Sequence, residues 1–176
     1  MIDNFFSGFL VGLEYLWRIL TADPLVTLIV LPGTIFLISA SLVVNILERN
    51  RLRKSGMLEV DQMSGKKFEE YLQVLLETRG FNAKITPASG DYGADLVLKK
   101  NGTKIVVQAK RYKKNVGIRA VQEIVSARRH YKADECWVIT NSDFTEQAKR
   151  LALSNDVRLI NRRELMNWML EVSKSA

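Results

Sequence analysis

Cysteine and histidine are almost absent from this 176-residue chain, which has one of each, Cys136 and His130. A lone cysteine excludes an internal disulfide and any cysteine-built zinc site. A lone histidine excludes histidine-rich metal centres and mechanisms that need two imidazoles. Cys136 lies in the apolar run ECWVIT, the setting of a buried core thiol rather than a nucleophile. His130 ends a helix-like segment, where an imidazole is solvated or complements the helix dipole. Repeats and low-complexity tracts are missing too. The length accommodates one domain of ordinary size plus an appendage.

Charge is missing from one long stretch. Residues 24–47, PLVTLIVLPGTIFLISASLVVNIL, carry none. That length meets the roughly 20 residues a bilayer crossing needs, and Pro32-Gly33 is tolerated inside such a span. The run is too long, too far along the chain and too poor in a basic leader for a secretory signal. Immediately after it come Arg49, Arg51, Arg53 and Lys54. The positive-inside rule then keeps everything beyond residue 47 in the cytoplasm. Residues 5–20 are less decided. Asp3, Ser7, Glu14 and Arg18 fall within about 60° on a helical wheel, which suits an interfacial helix or a first span. The expectation is a cell-membrane anchor at 1–47, with helices over 5–20 and 25–47 and the lipid bilayer as partner. It carries no chemistry.

The net charge of +7 is unevenly spread. Residues 1–47 hold one basic and three acidic side chains, whereas the rest hold 25 basic and 16 acidic. The C-terminal part therefore suits a polyanionic partner. Residues 48–63 read as a charged linker. Ser64 is a candidate N-cap for a helix that stops at Gly80, with Phe68, Tyr71, Leu72, Leu75 and Leu76 forming its apolar stripe. Glu69 falls about 100° from Phe68, at the border of the buried face, and Glu70 about 200°, towards water. A short strand in FNAKITPA ends at Pro87, and a glycine-flanked loop follows from Ser89 to Gly93.

Asn101-Gly102 is the strongest short hairpin signal. Pairing outward from it sets Ala94, Leu96 and Leu98 against Ala109, Val107 and Ile105, all apolar. On the other face Asp95 stands opposite Gln108, with Cβ atoms roughly 5 Å apart, and Lys110 shares that face. Beyond the hairpin, a helix over VGIRAVQEIVSARRHYKA turns Ile118, Val121, Val125 and Ala127 inward. ECWVIT is a buried strand. A capping box, Asp143-x-x-Glu146, opens the next helix. VRLI is a last strand and RRELMNWMLEV a closing helix. The fold class is α/β, with a mixed β-sheet flanked by helices, since a strand–helix–strand unit implies a right-handed parallel crossover.

A polar Asp95–Gln108–Lys110 face between covering helices exceeds what solubility requires. Mg²⁺ takes oxygen ligands, commonly one or two carboxylates with waters and substrate phosphate. Asp95 supplies a carboxylate, Gln108 a side-chain carbonyl and Ala109 a backbone carbonyl. Lys110 suits the holding of a water or the neutralising of charge on a phosphate.

The stretch GDYGADLVLKKNGTKIVVQAKRY resembles the catalytic core of Mrr-like restriction endonucleases, a branch of the PD-(D/E)xK nuclease superfamily with a D-x(n)-QxK signature. The resemblance extends through GKKFEEYLQVLLETRGF, AVQEIVSAR, WVITNSDFTEQAKRLA and VRLINRRELMNWM, covering about residues 64–170. It implies a restriction-endonuclease-like catalytic domain over 64–172, a divalent metal (Mg²⁺ or Mn²⁺) and cleavage of DNA phosphodiester bonds. Asp95, Gln108 and Lys110 fall on the metal and catalytic positions, and Glu69 on the first-helix acid. Asp91 and Gln122 match further recurrent positions. The basic run Lys110 to Lys114 suggests that Arg111, Lys113 and Lys114 meet a DNA backbone, with Arg119, Gln122, Arg128 and Arg129 extending the track. A double-strand cut would take two active sites, hence a homodimer. Two other readings stay open. One is a catalytically weak or inactive nuclease-fold module that holds DNA at the membrane, because glutamine in place of glutamate removes one charge. The other is a membrane protein whose basic face binds anionic lipid.

Overall fold

The computed structural model describes residues 8, 10–12, 14–15, 17–18, 24–54, 56–87 and 92–174, without the side chains at 24–27, 45, 48–54 and 173–174. The chain divides into two units, Met1–Glu48 and Arg49–Ala176. The described residues between Gly8 and Arg18 are helical, and Arg18 donates to Glu14 Oε1 at 3.0 Å. The next helix, α1, runs from Pro24 to Lys54 and so continues past the expected end into the basic cluster. Its apolar side chains are exposed all round, as at Ile29, Phe36 and Val44.

Among the described residues no helix is long and apolar enough to cross a membrane, so the span expected at 24–47 has no support from the fold.

The second unit is built on a five-stranded mixed sheet in the order β1 (Asn82–Ile85), β2 (Leu96–Lys100), β3 (Thr103–Lys110), β4 (Glu135–Thr140), β5 (Val157–Ile160). The first three strands are antiparallel, and β3–β4–β5 are parallel. Asn101 and Gly102 both take positive φ, 51° and 82°, as the tight turn between β2 and β3 requires. The register is the expected one, Leu96 against Val107 and Leu98 against Ile105.

Helices cover both faces. On one side Leu96, Leu98, Ile105 and Val107 pack with α3 (Gly65–Thr78) and α6 (Arg162–Lys174). On the other, Val106, Cys136 and Val138 pack with α4 (Ile118–His130) and α5 (Glu146–Ser154). Strand β3 is therefore buried on both faces from Ile105 to Gln108. Helix α3 has the expected cap, Ser64 accepting from the Lys67 N–H at 3.2 Å, and buries the expected stripe. Burying each large apolar side chain of that stripe is worth about 1.5–3 kcal/mol.

Three local expectations change. The presumed linker ends in structure: α2 (Met57–Val60) places Val60 in the core, and Met63 is buried with it. Helix α5 opens at Thr145, whose Oγ1 accepts from the Ala148 N–H at 3.2 Å, not at an Asp143 capping box. Residues 143–145 are held extended because Val116 pairs with Phe144, through Val116 N–H to Asp143 O and Thr145 N–H to Val116 O. The same bridge anchors the start of α4. That helix buries Ala120, Val121, Ile124 and Ala127, leaving Ile118 exposed and Val125 half-buried.

Candidate active site

Asp95 sits at the mouth of β2, its backbone fixed on both sides. Its N–H donates to Val107 O at 2.8 Å, and its carbonyl accepts from the Thr86 N–H at 3.0 Å. Because side chains alternate along a strand and Leu96 faces α3, Asp95 faces α4, as do Gln108 and Lys110. Asp95 Oδ2 accepts from the Ala109 N–H at 2.7 Å and from Gln108 Nε2 at 3.2 Å. The N–H and C=O of a strand residue point the same way, so the Ala109 carbonyl also faces the Asp95 side. Gln108 is 3% exposed, and its Oε1 is a buried acceptor with no hydrogen-bond partner. A buried amide oxygen without a partner costs about 1–3 kcal/mol unless a ligand takes it.

Lys110 is held elsewhere. Its Nζ lies 3.1 Å from Glu123 Oε2, and the other oxygen of Glu123 accepts from Arg119 Nε at 2.9 Å. Its carbonyl accepts from Thr140 Oγ1 at 2.6 Å, tying the end of β3 to the end of β4. Gly93, at φ +90°, lies against α4: a Cβ there would stand 2.8 Å from Glu123 Cβ. Glu123 thus touches both arms of the site, and sequence reasoning passed over it. The available signal was its spacing of four from Arg119, which pairs the two on one helix face.

The remaining candidates are scattered. Glu69 is half-buried on α3, the helix that covers the opposite face of the sheet from Gln108. Asp91 lies outside the described residues. Arg111 follows β3, and its guanidinium contributes to lowering the Asp61 carboxyl. Lys113 lines a cavity of about 630 Å³ with Tyr112, Asn141 and Arg163, while Lys114 is exposed. Arg119 and Gln122 are exposed near the start of α4. Arg129 lies about 15 Å further along that helix. Its neighbour Arg128 donates to Asp134 O, beside the start of β3. A continuous basic track from Lys113 to Arg129 is therefore not formed; Arg128 and Arg129 belong to the far end of β3.

A second polar cluster was not anticipated. Arg162 donates to both oxygens of Asp61, at 2.7 and 2.8 Å, and to the Asn141 carbonyl at 2.9 Å. Buried Asn141 donates to Asp61 Oδ1 at 2.8 Å and accepts from the Tyr112 N–H at 2.8 Å. The Arg162 hydrogen bonds hold the Asp61 carboxyl below its ordinary range. This cluster braces the chain leaving β3. Burial raises the Cys136 thiol, as expected of a core cysteine.

Among the described residues no three His, Cys, Asp or Glu side chains gather as a metal cluster. The oxygen set at the hairpin is one carboxylate, Asp95, with the neutral oxygens of Gln108 and Ala109. Such a set fits a hard divalent cation that keeps several waters. The unpartnered Gln108 oxygen is the feature that favours the fit.

The restriction endonuclease family model Mrr_cat matches residues 60–169, more than half of the chain. The chain belongs to this restriction endonuclease family. The match begins at Val60, in agreement with the burial of that residue in the core. Among solved structures, the protein of unknown function AF1548 aligns with a TM-score of 0.50 and 21% identity, over 61% of this chain and 65% of its own. The DNA modification-dependent restriction endonuclease AspBHI aligns with a TM-score of 0.50 and 16% identity, over 73% of this chain and 40% of its own. The MspJI restriction endonuclease, in complex with a 27-mer oligonucleotide, aligns with a TM-score of 0.44 and 20% identity, over 57% of this chain and 26% of its own. The chain thus spans less than two thirds of each structure. The first two likenesses are of fold: a five-stranded mixed sheet flanked by helices, as in restriction endonucleases. No curated protein matches the chain.

Proposed function

We propose that this chain is a metal-dependent DNA endonuclease that hydrolyses phosphodiester bonds at the hairpin of Asp95, Gln108 and Lys110. The observation that carries the reading is the Asp95–Gln108 contact at 3.2 Å with Gln108 Oε1 buried and unpartnered, in a domain of the restriction endonuclease family. Asp95, Gln108 Oε1 and the Ala109 carbonyl would hold Mg²⁺ or Mn²⁺. When bound, the ion supplies a lowered water pKa and charge stabilisation at the phosphate. Asp95 provides the only full negative charge of that set, fixed in place by the Ala109 N–H. Lys110 presents a cation to the developing phosphate charge. Lys113, Lys114 and Arg119, all exposed, are the cations near this end of β3 for a DNA backbone.

The test is nicking of supercoiled plasmid by the full-length chain in detergent, with Mg²⁺ or Mn²⁺ and with chelator, beside Asp95→Asn. Metal-dependent nicking lost in the variant supports the reading. Wild-type-like nicking by Asp95→Asn, or binding without cleavage under every metal condition, refutes it; the second result leaves a DNA-binding module.

We further propose that residues 1–47 hold the domain at a membrane, with residues 48–176 in the cytoplasm. The support is the charge-free run 24–47, the exposed apolar side chains of α1 and the basic cluster that follows. A reporter fused after Ala176 should report a cytoplasmic location. Activity on the other side of the membrane would refute both the topology and access to DNA. A double-strand cut would bring two copies together.

A further inference from the structure

Two anions and two cations meet beside the hairpin, and their pairing is selective. Lys110 carries a flexible stem of four carbons, so its ammonium has a choice of partners. Asp95 stands on the same sheet face, diagonal to Lys110 by one pair, where Cβ atoms are roughly 7–8 Å apart. A lysine reaches that far. The structure pairs Lys110 with Glu123 of α4 instead, Nζ to Oε2 at 3.1 Å, with side chains 20% and 29% exposed. At that partial burial an ion pair is screened less than one on the surface. Glu123 is itself oriented, because its second oxygen accepts from Arg119 Nε at 2.9 Å. Its backbone and Cβ abut Gly93, two residues before Asp95, closely enough that any side chain at 93 would collide. The distance between the Lys110 anchor and the Asp95 strand is therefore set by direct contact.

We propose that Glu123 is a positioning residue that holds the Lys110 ammonium away from Asp95, keeping the Asp95 carboxylate available to a divalent cation. The inference rests on the metal reading of Asp95 and Gln108 given above. Among the described residues of the ligand set Asp95 is the one carboxylate, so a lysine paired to it would compete with the metal for that charge. A second carboxylate, outside the ligand set, removes that competition while leaving the ammonium beside the site. Arg119 balances the added negative charge, and its largely exposed side chain, 89%, is also open to a phosphate.

The experiment measures Mn²⁺ binding to the full-length chain in detergent, from the EPR signal of the free ion, with no DNA present. Glu123→Gln keeps the shape of the side chain and removes its charge. It should weaken Mn²⁺ binding about tenfold, within the range for coupled neighbouring residues. Lys110→Ala should bind Mn²⁺ at least as tightly as the wild type. The double variant, Glu123→Gln with Lys110→Ala, should recover the affinity of Lys110→Ala alone, since the competing ammonium is gone. That recovery also shows that loss in the single variant is not misfolding. Unchanged affinity in Glu123→Gln overturns the inference. A double variant as weak as Glu123→Gln overturns it as well, because Glu123 would then act on the ion directly. Absence of Mn²⁺ binding in the wild-type chain is a separate result, which removes the metal reading and this inference with it.

Discussion

Replacing Gln108 by glutamate tests the hairpin geometry without any DNA. Gln108 is 3% exposed and its Nε2 donates to Asp95 Oδ2 at 3.2 Å. Gln108→Glu removes that donor, and a hydrogen bond to a charged acceptor is worth about 1.5–3 kcal/mol. It also sets two carboxylates against each other. At the ~4 Å to which they can part, an effective dielectric of ~20 gives about 4 kcal/mol of repulsion. The two effects overlap, since both describe the same contact, so about 4 kcal/mol is the expected loss in chelator at neutral pH. For a domain of this length that corresponds to a fall in Tm of about 15 °C, at ~4 °C per kcal/mol. Mg²⁺ should reverse the sign, because a cation between two carboxylates is attracted by both. Calorimetry in chelator and in excess Mg²⁺ reads the two states of one sample. The variant should melt well below the wild type in the first and recover in the second. An unshifted Tm in chelator would refute the contact; a fall that Mg²⁺ leaves untouched would refute the placement of the ion.

Charge reversal at Lys113 and Lys114 should flatten the dependence of DNA affinity on salt by about 0.9 log unit per log salt for each phosphate no longer neutralised; an unchanged slope in fluorescence anisotropy would move the DNA path elsewhere. Asp61→Asn should lower Tm at neutral pH, because Arg162 holds the Asp61 carboxyl below its ordinary 3.8. A depressed carboxyl stabilises fully above its unfolded value and loses that contribution as acid protonates it. The gap to the wild type should therefore be full from about pH 5 upward and close progressively as the pH falls through the ordinary value of 3.8, and a gap that does not narrow in acid would count against the pair. Gly93→Ala places a Cβ 2.8 Å from Glu123 Cβ at φ +90°. It should cost about 1–3 kcal/mol in urea denaturation with an unchanged m-value, and an unaffected midpoint would show that the neighbouring helix yields.

The hairpin was legible because its rules are local. Asn101-Gly102 dictates the turn, the period of two dictates the faces, and together they place Asp95 opposite Gln108 without knowledge of the remaining chain. The Ser64 cap and the stripe on α3 were legible for the same reason. What escaped depends on contacts distant in sequence. Asp61 looked like part of a charged linker until Arg162 and Asn141 closed on it. Lys110 looked like a free catalytic cation because nothing near it in sequence names Glu123 as its partner. The inward face of α4 and the start of α5 were misjudged together, since one bridge between Val116 and Phe144 sets both. Arg129 looked continuous with Lys113 because a sequence does not show that α4 runs back along the sheet.

The turn at Asn101-Gly102 is a surface feature, roughly 20 Å along β3 from Gln108 at 3.4 Å per residue. Surface turns ordinarily tolerate added residues, since few contacts restrain them. This one has no such latitude. It works as a spacer gauge: Asp95 and Gln108 meet only because the same number of residues separates each from the turn. A register slipped by one residue would bring Val107 or Ala109 opposite Asp95, rotate Gln108 to the α3 side and carry Ile105 and Val107 out of the core they share with α3. The count of residues that assembles the oxygens is the count that assembles the core, and one cannot be changed without the other.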